Sequence, residues 1–151
     1  MANEKQKEKV PAVPGWFTMD MKEPHLIGSC CKSCGSYFFP KETAFCRNPN
    51  CSGSTFEEVL LSRRGKLWSF VLNCYPPPAP YVSPDPFVPY ANAVVQLDKE
   101  KMMVMGQVAG TVDYNQLKME MEMELILEKL YEDGEKEYWV WKWRPVTGAS
   151  I

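Results

Sequence analysis

The chain has 151 residues, 45% of them hydrophobic, and a formal net charge of -2. That is apolar material for one ordinary domain or two very small ones, and it excludes an intrinsically disordered chain. The near-neutral balance supplies no basic face of the kind nucleic-acid binders use, and no run approaches the roughly 20 apolar residues that span a bilayer.

The first segment, "MANEKQKEKVPAVPG" (Met1–Gly15), is charged and then punctuated by proline. It predicts a mobile arm, and it lacks the apolar stretch of a secretory signal. A cytoplasmic, reducing location is the expectation. "WFTMDMKEPHLIG" (Trp16–Gly28) follows and keeps neither a helical nor a strand period. Two readings stay open for it: an arm packed on its own domain, or an apolar arm, led by Trp16 and Phe17, that lies on a partner.

Residues 29–55 hold five of the six cysteines. Cys31-x2-Cys34-Gly35 is a metal knuckle, since a two-residue spacer points both sulfurs at one ion and the glycine permits the tight turn behind them. Cys46-x4-Cys51 is the second arm. A disulfide framework does not suit a reducing compartment. Four thiolates favour tetrahedral zinc, with a rubredoxin-like iron centre as the chemical rival. Cys30 is the leftover, because only Cys31 gives the two-residue spacer to Cys34. With four protein ligands the metal keeps no open position, so the site reads as structural and not hydrolytic.

From about Phe56 to residue 148 the pattern is all-β. "KLWSFVLNCY" (Lys66–Tyr75), "NAVVQL" (Asn92–Leu97) and "MMVMGQV" (Met102–Val108) predict strands, the last two joined by a turn at "DKEK" (Asp98–Lys101). "VDYNQLK" (Val112–Lys118) predicts a short helical turn. "KMEMEMELILEKL" (Lys118–Leu130) is built of good helix formers, yet Met119, Met121, Met123, Leu125 and Leu127 share one parity and Glu120, Glu122 and Glu124 the other. Period two predicts a strand. Asp133–Gly134 marks a turn, and "YWVWKWRPV" (Tyr138–Val146) the returning strand. About five strands with one long interruption suit a five-stranded OB-fold barrel.

The interruption, Tyr75–Pro89, carries seven prolines and the aromatics Tyr75, Tyr81 and Phe87, with Tyr90 just beyond. It reads as an ordered loop lining a ligand path or interface, or as a passive, proline-stiffened connection. Catalytic signatures are missing. His25 is the sole histidine, and neither a P-loop nor a G-x-G-x-x-G motif occurs. Cys74, within "FVLNCY", reads as a buried strand cysteine. A single-stranded nucleic-acid-binding OB protein is the alternative from another class, weakened by the lack of basic residues among the aromatics.

"HLIGSCCKSCGSYFFPKETAFCRNPNC", "GKLWSFVL", "PYANAVVQLD" and "MEMELILEKL" together resemble the acyl-CoA-associated zinc-ribbon/OB-fold proteins. The arm "GWFTMDMKEPHLIGS" and the length resemble, more narrowly, the small subunits of benzoylsuccinyl-CoA thiolases of anaerobic toluene degradation. The resemblance implies a non-catalytic partner of a thiolase-like chain in a two-plus-two heterotetramer. Catalysis would sit on that other chain, and coenzyme A or an acyl-CoA would be the substrate of the complex. Other thiolase-like acyltransferases and aldolase complexes are the neighbouring readings. It also implies structural zinc on Cys31, Cys34, Cys46 and Cys51. Arg63, Arg64, Lys66, Tyr81, Phe87 and Tyr90 become candidates for contact with coenzyme A or the partner. Family members carry a non-cysteine residue where this chain has Cys30.

Overall fold

A computed structural model describes residues 6–146. Nine strands and one 3-10 turn make two sheets. Met1–Lys5 of the expected mobile arm and residues 147–148 of the expected barrel lie outside the described residues.

The small sheet is an antiparallel ribbon of three strands. Its centre is β2 (Ile27–Cys31), flanked by β3 (Tyr37–Phe38) and β4 (Phe56–Leu60). Cys31 pairs with Phe56 and Ile27 with Leu60. Phe56–Leu60, which sequence places at the head of the barrel, therefore belongs to the ribbon. Its alternation looks the same in either sheet, and only the pairing partner decides.

The large sheet closes on itself. β5 (Arg64–Asn73), β6 (Tyr90–Leu97), β7 (Met103–Val108), β8 (Glu122–Glu132) and β9 (Lys136–Pro145) run in the order β9-β7-β6-β5-β8, and β8 pairs back onto β9. Every pairing in this ring is antiparallel except β7 with β9. The result is the expected five-stranded OB-type barrel. Strict alternation drives it. Ala91, Ala93, Val95 and Leu97 point inward from β6, and Met123, Leu125 and Leu127 inward from β8. Each fully buried Leu contributes about 1.5–3 kcal/mol of transfer free energy.

The Met/Glu segment is thus a strand, as its parity predicts, but the strand starts at Glu122. Glu120 sits at φ 67 in a tight turn, which leaves Met119 exposed. β5 crosses β6 closely at Gly65, where a Cβ would fall on the Gln96 carbonyl and the Val95 side chain. The "VDYNQLK" segment holds the 3-10 turn Tyr114–Gln116, capped by Asp113.

The arm differs from expectation. β1 (Glu8–Pro11) adds to the barrel in parallel with the outer edge of β9, Glu8 opposite Lys136 and Pro11 opposite Trp139. Lys9 Nζ lies 4.8 Å from the Trp139 ring, and Lys7 pairs with Glu132 at 3.2 Å. The β9 edge offered unpaired backbone groups, and the arm takes them. Sequence missed this strand because its four residues, a glutamate, a lysine, a valine and a proline, carry no apolar period.

Candidate metal centre and ligand cavity

The metal centre follows from two turns. Gly35 adopts φ 76, a left-handed conformation that closes the first knuckle, with its amide donating to Cys31 O at 2.8 Å. The second knuckle closes where Cys46 N donates to Gly53 O at 2.8 Å. Gly53 is needed there, because a Cβ would stand 2.8 Å from Ser33 Oγ and 3.0 Å from Cys31 Sγ. "CSG" at Cys51–Gly53 was the sequence signal for this turn.

The Sγ atoms of Cys31, Cys34, Cys46 and Cys51 all lie within 4.8 Å of one another. Cys31 to Cys51 is 3.8 Å and Cys34 to Cys46 is 3.6 Å. Four sulfurs about 2.3 Å from one zinc ion stand roughly 3.8 Å apart at tetrahedral angles, so the donor set fits. Backbone amides support it: Asn48 N donates to Cys46 Sγ at 3.5 Å and Gly53 N to Cys51 Sγ at 3.3 Å. The Ser36 hydroxyl and amide hold the Cys34 thiol down at about 6, whereas burial pushes Cys46 up to about 12. Thiols so close cannot all ionise by themselves, and a dication at their centre stabilises all four thiolates. Cys30 stands outside this set, on β2 beside Cys31, with its Sγ 3.8 Å from the Cys31 carbonyl.

Ribbon and barrel share one core. Leu26 and Leu61 are fully buried between them, and Leu61 N donates to Leu26 O at 2.9 Å. Trp16 stacks on Trp141 with centroids 6.1 Å apart, and Phe17 and Phe39 meet the same indole edge-on. Trp141 can lie against β7 because residue 106 is glycine, and its Nε1 donates to Met105 O at 3.2 Å. Phe17 is therefore hidden by its own chain, the first of the two readings left open for this segment. The aromatic spacing alone could not say which surface these rings meet. His25 is structural: its amide donates to Thr18 Oγ1 and its Nδ1 lies 2.9 Å from Leu61 O.

The basic cluster is divided. Arg63 does not face solvent as a phosphate ligand: Nε donates to Pro24 O at 3.0 Å, and Nη2 reaches the carbonyls of Lys22 and Leu125 at 3.2 and 3.4 Å. Arg64 lies near Glu122 and Glu124. Lys66 is exposed. These residues begin β5, while Tyr90 pairs with Asn73 at its far end. The separation along the strand is roughly 25–30 Å at about 3.3 Å per residue. The structure does not bring the basic cluster and the aromatic loop together.

The aromatics are grouped. Tyr81 stacks on Tyr90 at 6.0 Å, Phe87 meets Tyr90 edge-on at 6.2 Å, and Gln107 Nε2 donates to Tyr81 OH at 2.9 Å. They tie the proline-rich segment to the barrel mouth beside a cavity of about 520 Å³. Its walls include Leu72, Val88, Val108 and Tyr114, with Lys142 as the buried cation. Lys142 Nζ is held by Glu128 Oε1 at 3.1 Å, which also accepts from Gly110 N at 3.0 Å. Sequence reasoning missed this pair, because Lys142 falls between Trp141 and Trp143 on the opposite parity of β9, and the residues after β7 that line the same cavity are distant in the chain. Cys74 is exposed past the end of β5, not buried within it. The strand's apolar run outlasts its pairing.

Residues 21–57 match the family described as ChsH2, rubredoxin-like zinc ribbon domain, and residues 58–127 that described as ChsH2, C-terminal OB-fold domain. Benzoylsuccinyl-CoA thiolase subunit BbsA of Geobacter metallireducens is 36% identical over 129 residues, covering 80% of each chain. The subunit of the same name from Thauera aromatica is 45% identical over 73 residues, 44% of this chain and 48% of that protein, so the chain spans about half of that relative. A DUF35 domain-containing scaffold protein of Methanocaldococcus jannaschii is 31% identical over 114 residues, covering 73% of this chain and 72% of that protein. A solved Ltp2-ChsH2(DUF35) aldolase chain has a TM-score of 0.57 at 22% identity, over 80% of this chain and 84% of that one, a likeness of fold.

Proposed function

Because this chain belongs to the ChsH2-type family of rubredoxin-like zinc ribbons joined to OB-folds, we propose that it is the non-catalytic subunit of a two-chain thiolase. The observation that carries the reading is the division of labour within the chain. Its four-sulfur site is closed by protein ligands and leaves no place for substrate. The ion it takes is structural zinc. A cavity of substrate scale lies away from that site, on the barrel mouth beside the proline-rich segment, and opens to the surface where a second chain completes it. Among the described residues the lone histidine is spent on the Leu61 carbonyl, and the charged groups on the cavity wall are engaged within the chain, Lys142 by Glu128 and Asp113 by the Asn115 amide.

The reaction of the complex is CoA-dependent cleavage of a β-keto acyl-CoA, benzoylsuccinyl-CoA, to benzoyl-CoA and succinyl-CoA. The substrate name is borne by the two BbsA relatives, and the alignment with the Geobacter protein over 80% of each chain supports carrying it here. Nucleophile, base and oxyanion donors belong to the larger chain. This chain supplies the wall of the acyl-CoA path, with Tyr81, Phe87 and Tyr90 as contacts, and the assembly is a cytoplasmic two-plus-two heterotetramer. Native co-purification of the tagged protein from its source, followed by mass spectrometry, tests this. A thiolase-like chain in equal amount supports it, and a monomer with no such companion contradicts it.

A further inference from the structure

The barrel has two unlike outer faces. The outward residues of β8 and its neighbours are charged: Glu124 pairs with Arg144 at 2.7 Å, Lys129 with Glu132 at 3.4 Å, and Arg64 lies beside Glu122 and Glu124. The outward side of β5-β6-β7 is the reverse. Met105 stands opposite Val94, which stands opposite Ser69, next to Trp68 in the β5 bulge. One register step along, Met103 faces Gln96 and, beyond it, Lys66. In the other direction lie Gln107, Asn92 and Val71. Trp68 is 56% exposed, Val71 55% and Met105 61%. No carboxylate stands in these three rows.

Resting on the thiolase-subunit reading, we infer that this face, centred on Trp68 and Met105, is the surface that docks the larger catalytic chain. Its composition is that of an interface core, with Trp and Met present and acidic side chains absent. The bulge at Trp68 turns a large indole outward between Leu67, which is buried, and Phe70, which packs against the core. Continuity chooses the occupant. The face runs directly into the cavity mouth through two shared residues: Leu72 on β5 follows Val71, and Gln107 on β7 holds Tyr81, and both line the cavity. A large chain laid on Trp68 and Met105 therefore also covers that opening, as a subunit that completes an acyl-CoA path requires. A second copy of this chain would close the opening against itself and leave no room for substrate.

The test uses the full-length protein and the purified thiolase-like chain recovered with it. Trp68→Glu and Met105→Glu place charges on the face and leave the core untouched, which circular dichroism verifies. Lys129→Glu on the charged face is the control. Each face variant is expected to weaken binding to the catalytic chain at least tenfold by calorimetry, with the control unchanged. If the wild type and both face variants bind alike, docking lies elsewhere and this inference is overturned while the subunit reading stands. If the wild type binds no thiolase-like chain, both fall. A wild-type self-dimer in ultracentrifugation that Trp68→Glu dissolves would assign the face to a second copy instead.

Discussion

Arg63 Nε donates to the Pro24 carbonyl at 3.0 Å, joining the head of β5 to the segment that leads into the ribbon. The same guanidinium reaches Lys22 O and Leu125 O. One planar fork thus ties the segment ahead of the ribbon to β8. Arg63→Ala leaves these carbonyls without their donor and should cost about 1–3 kcal/mol. Arg63→Lys should recover only part of that, since one ammonium cannot span the same fork. Thermal unfolding of both variants checks the order, and equal melting points for all three proteins would refute it.

The metal assignment separates adjacent cysteines. Cys31→Ser removes a ligand and should release zinc, whereas Cys30→Ser should keep one equivalent. Metal analysis of the purified variants decides, and the reverse pattern would shift the register by one. Chelation should unfold the ribbon, because apparent binding energies of about 10–16 kcal/mol exceed what so small a sheet gains from its own core. Loss of ribbon circular dichroism and protease resistance on chelation is the expected result.

Gly65→Ala should destabilise the barrel by about 1–3 kcal/mol, since the added methyl meets the backbone of Gln96 and has no flexible neighbour to displace. Denaturant unfolding measures it. Gly15→Ala makes a useful contrast: nothing lies within 4 Å of its would-be Cβ, so only its φ of 83 is strained.

Asp133 accepts from Glu135 N at 2.8 Å, Lys136 N at 2.7 Å and Tyr138 OH at 3.0 Å. The Glu135 and Lys136 amides hold its carboxyl below the ordinary 3.8. A depressed carboxylate stabilises the fold above 3.8, and that contribution is lost as pH falls through the lower folded value. An NMR titration should therefore place the Asp133 midpoint below 3.8, and Asp133→Asn should make the hairpin less sensitive to acid. A midpoint above 3.8 would contradict this.

Much of the fold was readable because it rests on short-range rules. The cysteine spacing placed the metal centre, and the parity of Met121, Met123, Leu125 and Leu127 overruled their helix propensity. What stayed hidden depends on long-range pairing. Phe56–Leu60 alternates equally well for ribbon or barrel, and Glu8–Pro11 has no period of its own, so only the free edge of β9 makes it a strand. Arg63 and Lys142 looked like surface cations, yet carbonyls from distant segments hold the first and Glu128, across the β8–β9 hairpin, the second. The aromatics at Trp16 and Phe17 were legible as sticky, but not as sticking to Trp141.

Reconstitution tests the central claim most directly. The purified thiolase-like chain is assayed for CoA-dependent cleavage of benzoylsuccinyl-CoA, alone and with this protein added. The account predicts negligible thiolysis by the large chain alone, full activity at one equivalent of this protein, and no activity from this protein alone. Equal rates with and without it would contradict the account.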